Sequence, residues 1–450
     1  MFARTPVVVG IAAAAMVGAG MGGTAAAQPA QVASTSAASS LEGAQGTYVG
    51  INPTRILDTR TGNGAPKALV GAGGEVSLLV AGRGGVPSGV SAVVLNLTAV
   101  APSTKTFLTA YPSGTPRPAT SNLNVVARSN RANMVTVPVG SDGRVRIYNS
   151  TGTTHILADV MGYYHGEVAP TTGPGAGYFT LEPERAFDSR QDGGALSSGE
   201  DVTIWMDFGP YASNITALAT NITVLQGSRP GFVSAGTAFS HEPATFSTVN
   251  YGQGQVIANM SVGSSGVSGT EVGFSVKNGG PGSVQVIIDV VGLYATEMDG
   301  LRFRALPPRR IIDTRSGIGG PAKPLGANEA RLHAAPATVA GIDTYALVAN
   351  TTIAGPTAST YVTAYENEMP KPAISNVNAA LGETAANSTF VPLGFEELFR
   401  VHNAAGQAPL IMDVFGSFEF VWEEPVSDGG RQSRKEPTSP APAAVRIERG

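Results

Sequence analysis

Pro53-Thr54-Arg55-Ile56-Leu57-Asp58-Thr59-Arg60 returns twice in this chain, as Pro183-Glu184-Arg185-Ala186-Phe187-Asp188-Ser189-Arg190 and as Pro308-Arg309-Arg310-Ile311-Ile312-Asp313-Thr314-Arg315. The three aspartates lie 130 and 125 residues apart, the signature of an internal repeat of about 125 residues. The residues downstream of each copy repeat too. An apolar run ends in Asn-x-Thr at Asn96/Thr98, Asn221/Thr223 and Asn350/Thr352. Then come Phe107–Ala110, Phe232–Ala235 and Tyr361–Ala364, and a Ser-x-x-Asn element at Ser121/Asn124, Ser247/Asn250 and Ser375/Asn378. Nine residues further on stand Asn133, Asn259 and Asn387. Each copy closes with an Asn (Asn149, Asn278, Asn403) and an Asp-Val-x-Gly strand, at Asp159/Gly162, Asp289/Gly292 and Asp413/Gly416.

Within the first copy, strand candidates follow one another every 8–14 residues: Val76–Ala81, Ala92–Thr98, Phe107–Tyr111, Met134–Val139, Arg144–Tyr148 and His155–Tyr164. Arg144-Val145-Arg146-Ile147-Tyr148 alternates polar and apolar, so one face of that strand is wet and the other buried. The closing strand is apolar on both faces before its Asp (Ile156-Leu157-Ala158, Val286-Ile287-Ile288, Leu410-Ile411-Met412), which places it centrally in a sheet. No helical periodicity appears outside residues 1–27. The chain is therefore expected to be all-β, with three tandem β-sandwich modules, Ig-like or jelly-roll, and a pseudo-threefold arrangement of the three is compatible with the repeat.

Composition agrees. Only 14% of the 450 residues are charged, there are 57 glycines and 31 prolines, and cysteine is absent. That balance suits many short strands joined by Gly/Pro turns. With no disulfide available, each module must hold itself together by burial. The net charge of −4 argues against nucleic acid as a partner.

Residues 1–27 read as a secretory signal peptide: Arg4, an apolar run from Val7 to Met21, and Ala25-Ala26-Ala27 before Gln28. The apolar run is short and broken by glycines, so no membrane span is expected after processing. Residues 28–46 are then a small-residue, disordered leader, and the modules occupy 47–165, 178–295 and 301–420. Residues 166–177 form a Pro/Gly/Thr linker, and 423–450 a charged, Pro-rich, disordered tail.

Arg55–Arg60, Val94-Leu95-Asn96-Leu97-Thr98, Ser121-Asn122-Leu123-Asn124 and Asp159–Tyr164 together resemble a repeat found in secreted proteins of high-GC Gram-positive bacteria, often in tandem and beside other cell-surface modules. The resemblance covers nearly all of residues 47–420. It implies an extracellular or wall-associated location and carries no assigned chemistry.

In so poorly charged a chain, the repeated Arg–Asp–Arg opening and the closing Asp need a cause. The expected one is a structural network formed by Arg55, Asp58, Arg60 and Asp159, by Arg185, Asp188, Arg190 and Asp289, and by Arg310, Asp313, Arg315 and Asp413. A carboxylate in an apolar strand needs a cation, and Arg55 or Arg60 can supply a bidentate one that ties the first segment to the last strand. Asn96, Asn124, Asn133, Asn221, Asn250, Asn259, Asn350, Asn378 and Asn387 join the network as amides that must be satisfied. The Asn-x-Thr triplets match glycosylation acceptors, but strand positions favour hydrogen bonding. A ligand surface, if there is one, would combine Tyr111, Arg128, Arg131, Arg144, Arg146 and Tyr148.

The five histidines (His155, His165, His241, His333, His402) occupy no equivalent positions and no ligand spacing, so no metal, cofactor or catalytic residue is assigned. The expectation is a secreted, non-enzymatic structural or adhesive protein of the cell surface or extracellular matrix, whose partners are wall or extracellular polysaccharide or other copies of itself. The alternative is a carbohydrate-binding protein. A glycan-active enzyme ranks third, and would need an open Asp58/Asp159 pair.

Overall fold

The computed structural model describes residues 43–167, 175–238, 246–421 and 439–450. The signal peptide, most of the leader, most of the 166–177 linker and His241 lie outside them. In module one the strands are β1 (Tyr48–Asp58), β2 (Glu75–Leu79), β3 (Val90–Val100), β4 (Thr106–Pro112), β5 (Leu123–Val125), β6 (Asn130–Pro138), β7 (Arg144–Asn149) and β8 (His155–His165). β1 pairs with β8, β2 with β7, β3 with β6 and β4 with β5, all antiparallel. That is one long hairpin rolled up, giving two sheets of order β1-β8-β3-β6 and β2-β7-β4-β5. Of the two sandwiches expected, it is the jelly roll.

Module two repeats the arrangement with β9 (Gly177–Asp188), β10 (Asp201–Asp207), β11 (Ile215–Leu225), β12 (Gly231–Thr237), β13 (Val249–Tyr251), β14 (Ile257–Ser264), β15 (Gly266–Ser268), β16 (Glu271–Asn278) and β17 (Gln285–Ala295). Module three has β18 (Arg302–Asp313), β19 (Glu329–Ala334), β20 (Thr344–Ala354), β21 (Thr360–Glu366), β22 (Val377–Ala379), β23 (Thr384–Pro392), β24 (Leu398–Asn403) and β25 (Leu410–Glu419). The extra strand β15 pairs with β16. A last strand, β26 (Val445–Arg449), pairs with β10. The expectation of a structureless tail therefore fails for its final residues: Val445 and Ile447 alternate with charged neighbours and pack on the core of module two.

Each module has its own core between its two sheets; in module one it includes Leu78, Val93, Leu95, Ile147 and Val160. The sheet that contains the closing strand is buried on its second face as well. There Ala92, Val94 and Tyr164 of module one meet Ala217, Ala219 and Tyr294 of module two and Ala346, Val348 and Phe418 of module three. These are the same three positions in each copy, so the modules surround a common pseudo-threefold axis. Alanine at the first position lets the sheets approach closely, and aromatic rings fill the centre. Tyr164 stacks on Phe303 at 4.1 Å, and Tyr178 on Phe418 at the same distance. The Tyr164 and Tyr294 hydroxyls are hydrogen-bonded at 2.6 Å, so the buried phenols are not left unpaired.

The glycine of Asp-Val-x-Gly finds its reason at this axis. A Cβ at Gly162 would overlap the Tyr48 ring, one at Gly292 the Tyr178 ring, and one at Gly416 the Phe303 ring. The starts of the three modules also bond to one another: Tyr48 with Ala176, Tyr178 with Leu301, and the Phe303 N–H to the Gly46 carbonyl. Gly43–Gly46 consequently belong to the folded unit, not to a disordered leader, because Arg302 and Phe303 occupy their carbonyls.

Candidate functional site

β1 and β8 place Arg55 and Asp159 opposite each other in register. Arg55 Nε and Nη2 donate to the two carboxylate oxygens of Asp159 at 2.8 and 2.9 Å. Arg310 holds Asp413 the same way, at 2.8 and 3.1 Å. Arg60 turns back onto Asp58: its backbone N–H and Nε donate to Oδ1, both at 2.9 Å, and Nη2 donates to Oδ2 at 2.7 Å. Asp188–Arg190 and Asp313–Arg315 repeat that clamp. So the two arginines divide the work: the first pins the closing strand, the second the turn.

The environments push the two aspartates apart. Asp159 and Asp413 are raised above the usual carboxylate range by burial, against the pull of Arg55 and Arg310. Asp58, Asp188 and Asp313 are held below it, chiefly by the hydrogen-bonded guanidiniums of Arg60, Arg190 and Arg315. Module two differs. Arg185 reaches Asp289 only through Nε, at 2.9 Å, while its Nη2 donates to the Ala373 carbonyl of module three. Asp289 Oδ2 is left buried without a hydrogen bond, and burial lifts the Asp289 carboxyl to about 6.

The asparagines carry the contacts between modules. Asn133 donates to Asn350 at 3.0 Å, Asn259 to Asn96 at 3.0 Å and Asn387 to Asn221 at 2.8 Å, so module one leads to three, two to one and three to two. The receiving amides donate onward to the backbone of the same neighbour: Asn96 to Ser247, Asn221 to Ser375 and Asn350 to Ser121. In return the Oδ1 atoms of Asn259, Asn387 and Asn133 accept the backbone N–H of Met134, Met260 and Ser388. The contacts are head-to-tail and close after three steps, as a heterologous interface must to avoid an open filament. Asn124, Asn250 and Asn378 bond locally to Ser121, Ser247 and Ser375. Asn96, Asn221 and Asn350 are at most 3% exposed, so these triplets present no acceptor amide to solvent.

The proposed ligand surface of module one does not form as one patch. Arg131 is 6% exposed because it lies in the boundary with module three, 3.3 Å from Glu383. The Tyr111 hydroxyl is bonded to Glu75, which also pairs with Arg146 at 3.2 Å. Tyr148 stays nearby, beneath the Arg117 guanidinium at 3.7 Å, whereas Arg128 sits apart in an exposed turn at φ 61°. Among the described residues no group of His, Asp or Glu could hold a metal ion.

Clefts do occur where modules meet. One, of about 190 Å³, lies between modules one and two and is lined by Arg60, Thr98, Phe232, Ser247 and Asn250. Another, of about 390 Å³, lies between modules three and one, with Arg315, Thr352, Phe107, Ser121 and Asn124 at the corresponding positions. Both offer a guanidinium edge, an amide and a ring. Sequence reasoning missed them because each draws its lining from two modules. It allowed the pseudo-threefold arrangement as compatible with the repeat but missed the residues at its axis, although the aromatics at Tyr48, Tyr178 and Phe303 sit at a constant offset before each opening motif.

No protein-family profile matches the chain, and no curated protein does. Among solved structures, one similar chain comes from "The Triple Jelly Roll Fold and Turret Assembly in an Archaeal Virus", with 10% identity, a TM-score of 0.17, and coverage of 83% of this chain and 91% of that one. A second comes from "Life in the extremes: atomic structure of Sulfolobus Turreted Icosahedral Virus", with 10% identity, a TM-score of 0.18, and coverage of 84% and 92%. At these TM-scores neither bears on what this chain does.

Proposed function

We propose that the chain is an exported, non-enzymatic scaffold of the cell surface or extracellular matrix, built to present three outward sheets on one rigid ring. The observation that carries this reading is where the repeated polar residues go. Every Asp of the set is occupied by a guanidinium, and every Asn of the β3 and β6 positions binds a neighbouring module. Asp58 and Asp159 are 4% and 0% exposed, so this pair is not the open one that glycosidic chemistry would need, which supports the non-enzymatic reading. Three presented surfaces suit adhesion, since avidity multiplies weak contacts.

The test is fractionation of cells expressing the full chain, followed by pull-down of the mature chain on isolated cell wall. The expected outcome is a chain beginning at Gln28 outside the membrane and sedimenting with wall. Retention inside the cell, or failure to bind wall, glycan or a second copy, overturns the reading.

The recurring clefts favour a second reading, a carbohydrate-binding protein, because a ring beside an amide and a guanidinium suits a sugar. Loss of polysaccharide binding in Asn250→Ala combined with Asn124→Ala, with wall adhesion abolished in parallel, would select it over the scaffold.

A further inference from the structure

Residues 443–450 run antiparallel along the edge of β10, in register from Val202↔Arg449 to Met206↔Val445. Backbone bonds fix both ends: Ala443 N–H to Asp207 O, Asp207 N–H to Ala444 O, and Gly450 N–H to Asp201 O. The side chains are read as well. Arg446 donates to both carboxylate oxygens of Glu271, at 3.0 and 2.6 Å, and lies over the Trp205 ring. Glu448 accepts from Trp205 Nε1 at 3.1 Å, and Arg449 donates to Glu200 at 2.8 Å. Module one has Gly74 where module two has Glu200, each accepting the N–H of the closing Asn, so its corresponding edge lacks Arg449's partner. β2 and β19 remain the outermost strands of their sheets among the described residues.

A strand held along one edge, with alternate side chains in solvent, is the kind of element that opens before the rest of a domain. Once it leaves, β10 presents a row of unpaired backbone groups flanked by Ile204, Trp205 and Met206, an edge that calls for another strand. Residues 422–438 can span up to about 60 Å, so the covalent connection does not confine the segment to its own edge. We propose that residues 443–450 are a donor strand exchanged between copies, the β10 edge of one chain taking the Val-Arg-Ile-Glu-Arg segment of the next by strand addition. Donor and acceptor are different surfaces, so the contact is head-to-tail and either closes as a reciprocally exchanged pair or propagates from copy to copy. The inference rests on the scaffold reading and deepens it by naming a second copy as partner. Wall pull-down and strand exchange are separate assays, so either can fail alone.

The absence of cysteine makes the test direct. Glu271→Cys and Arg446→Cys are introduced together in one full chain and separately in two others, and a short bis-maleimide joins thiols that meet. The double variant links within itself. An equimolar mixture of the single variants, warmed together and cooled, yields a linked two-chain species that rises with protein concentration. Adding Ile447→Asp to the Arg446→Cys chain lowers that yield about tenfold or more. Linkage in the double variant with none in the mixture overturns the proposal. Failure of the double variant to link removes its premise and overturns it equally.

Discussion

The two sheets of each module are built from the same short, Val-rich strands, yet they have taken opposite roles. On the inner sheet of module one, β3 buries both faces: Val93, Leu95 and Leu97 enter the sandwich core, while Ala92, Val94 and Asn96 face the other modules. On the outer sheet, β7 buries only Val145, Ile147 and Asn149 and leaves Arg144, Arg146 and Tyr148 at the surface. The copies correspond position for position where strands face the axis, and they differ on the outside, where among the described residues module two alone has β15 and β26. Assembly constrains one sheet of each module and leaves the other free to vary.

Substitutions sharpen that contrast. Asp159→Ala should cost about 3–5 kcal/mol, because Arg55 is left half-buried without its carboxylate, and module one should unfold in a urea titration. If the variant folds normally and only a binding property is lost, the inner network is not structural. Gly162→Val, which drives a side chain into the Tyr48 ring, should cost about 3 kcal/mol and disturb the near-UV signal of the axial tyrosines. Asn387→Ala strips partners from Asn221 and Met260, and should lower stability by about 2 kcal/mol without changing the outer sheets.

The pH dependence is strongest in module two, where Asp289 shifts further in the direction that Asp159 and Asp413 share. Raised to about 6, Asp289 binds its proton more tightly folded than unfolded, so its contribution is full below the ordinary carboxylate pKa and is lost as pH rises through 6. The effect is on the order of 3 kcal/mol, and Asp289→Asn should abolish it. Asp58, Asp188 and Asp313 run the other way: held low by their arginines, they stabilise above the ordinary pKa and lose that stability as pH falls. On these aspartates, thermal melts should therefore peak near about pH 4, falling above it as Asp289 ionises and below it as the arginine-held aspartates protonate. The smallest effect belongs outside: Ser77→Val, on the exposed face of β2, should change stability by less than about 0.5 kcal/mol.

Much of the repeat was legible because its residues are polar and therefore conspicuous in an apolar chain. The double-sided apolarity of His155–Tyr164 placed it centrally, and it does pair on both sides, with β1 and β3. β5 and β1 were not read as strands, the first for its length of three residues, the second because Asn52-Pro53 breaks its alternation with a bulge. The destination of the asparagines could not be read, since a side chain that satisfies another module carries no local signal. Arg131 misled for the same reason: a charge that looks solvated in one strand is buried once a neighbouring module covers it. β26 was lost in the composition of its surroundings, where prolines and charges outweigh five alternating residues.

The closed ring of three has a consequence for dilution. A trimer of separate subunits falls apart below its dissociation constant, because assembly depends on concentration. Here the three equivalents of Asn133, Asn259 and Asn387 are carried on one backbone, so each partner is supplied at an effective concentration fixed by covalent connection. The ring should persist however sparsely the molecule is spread, and its melting temperature should not move with protein concentration.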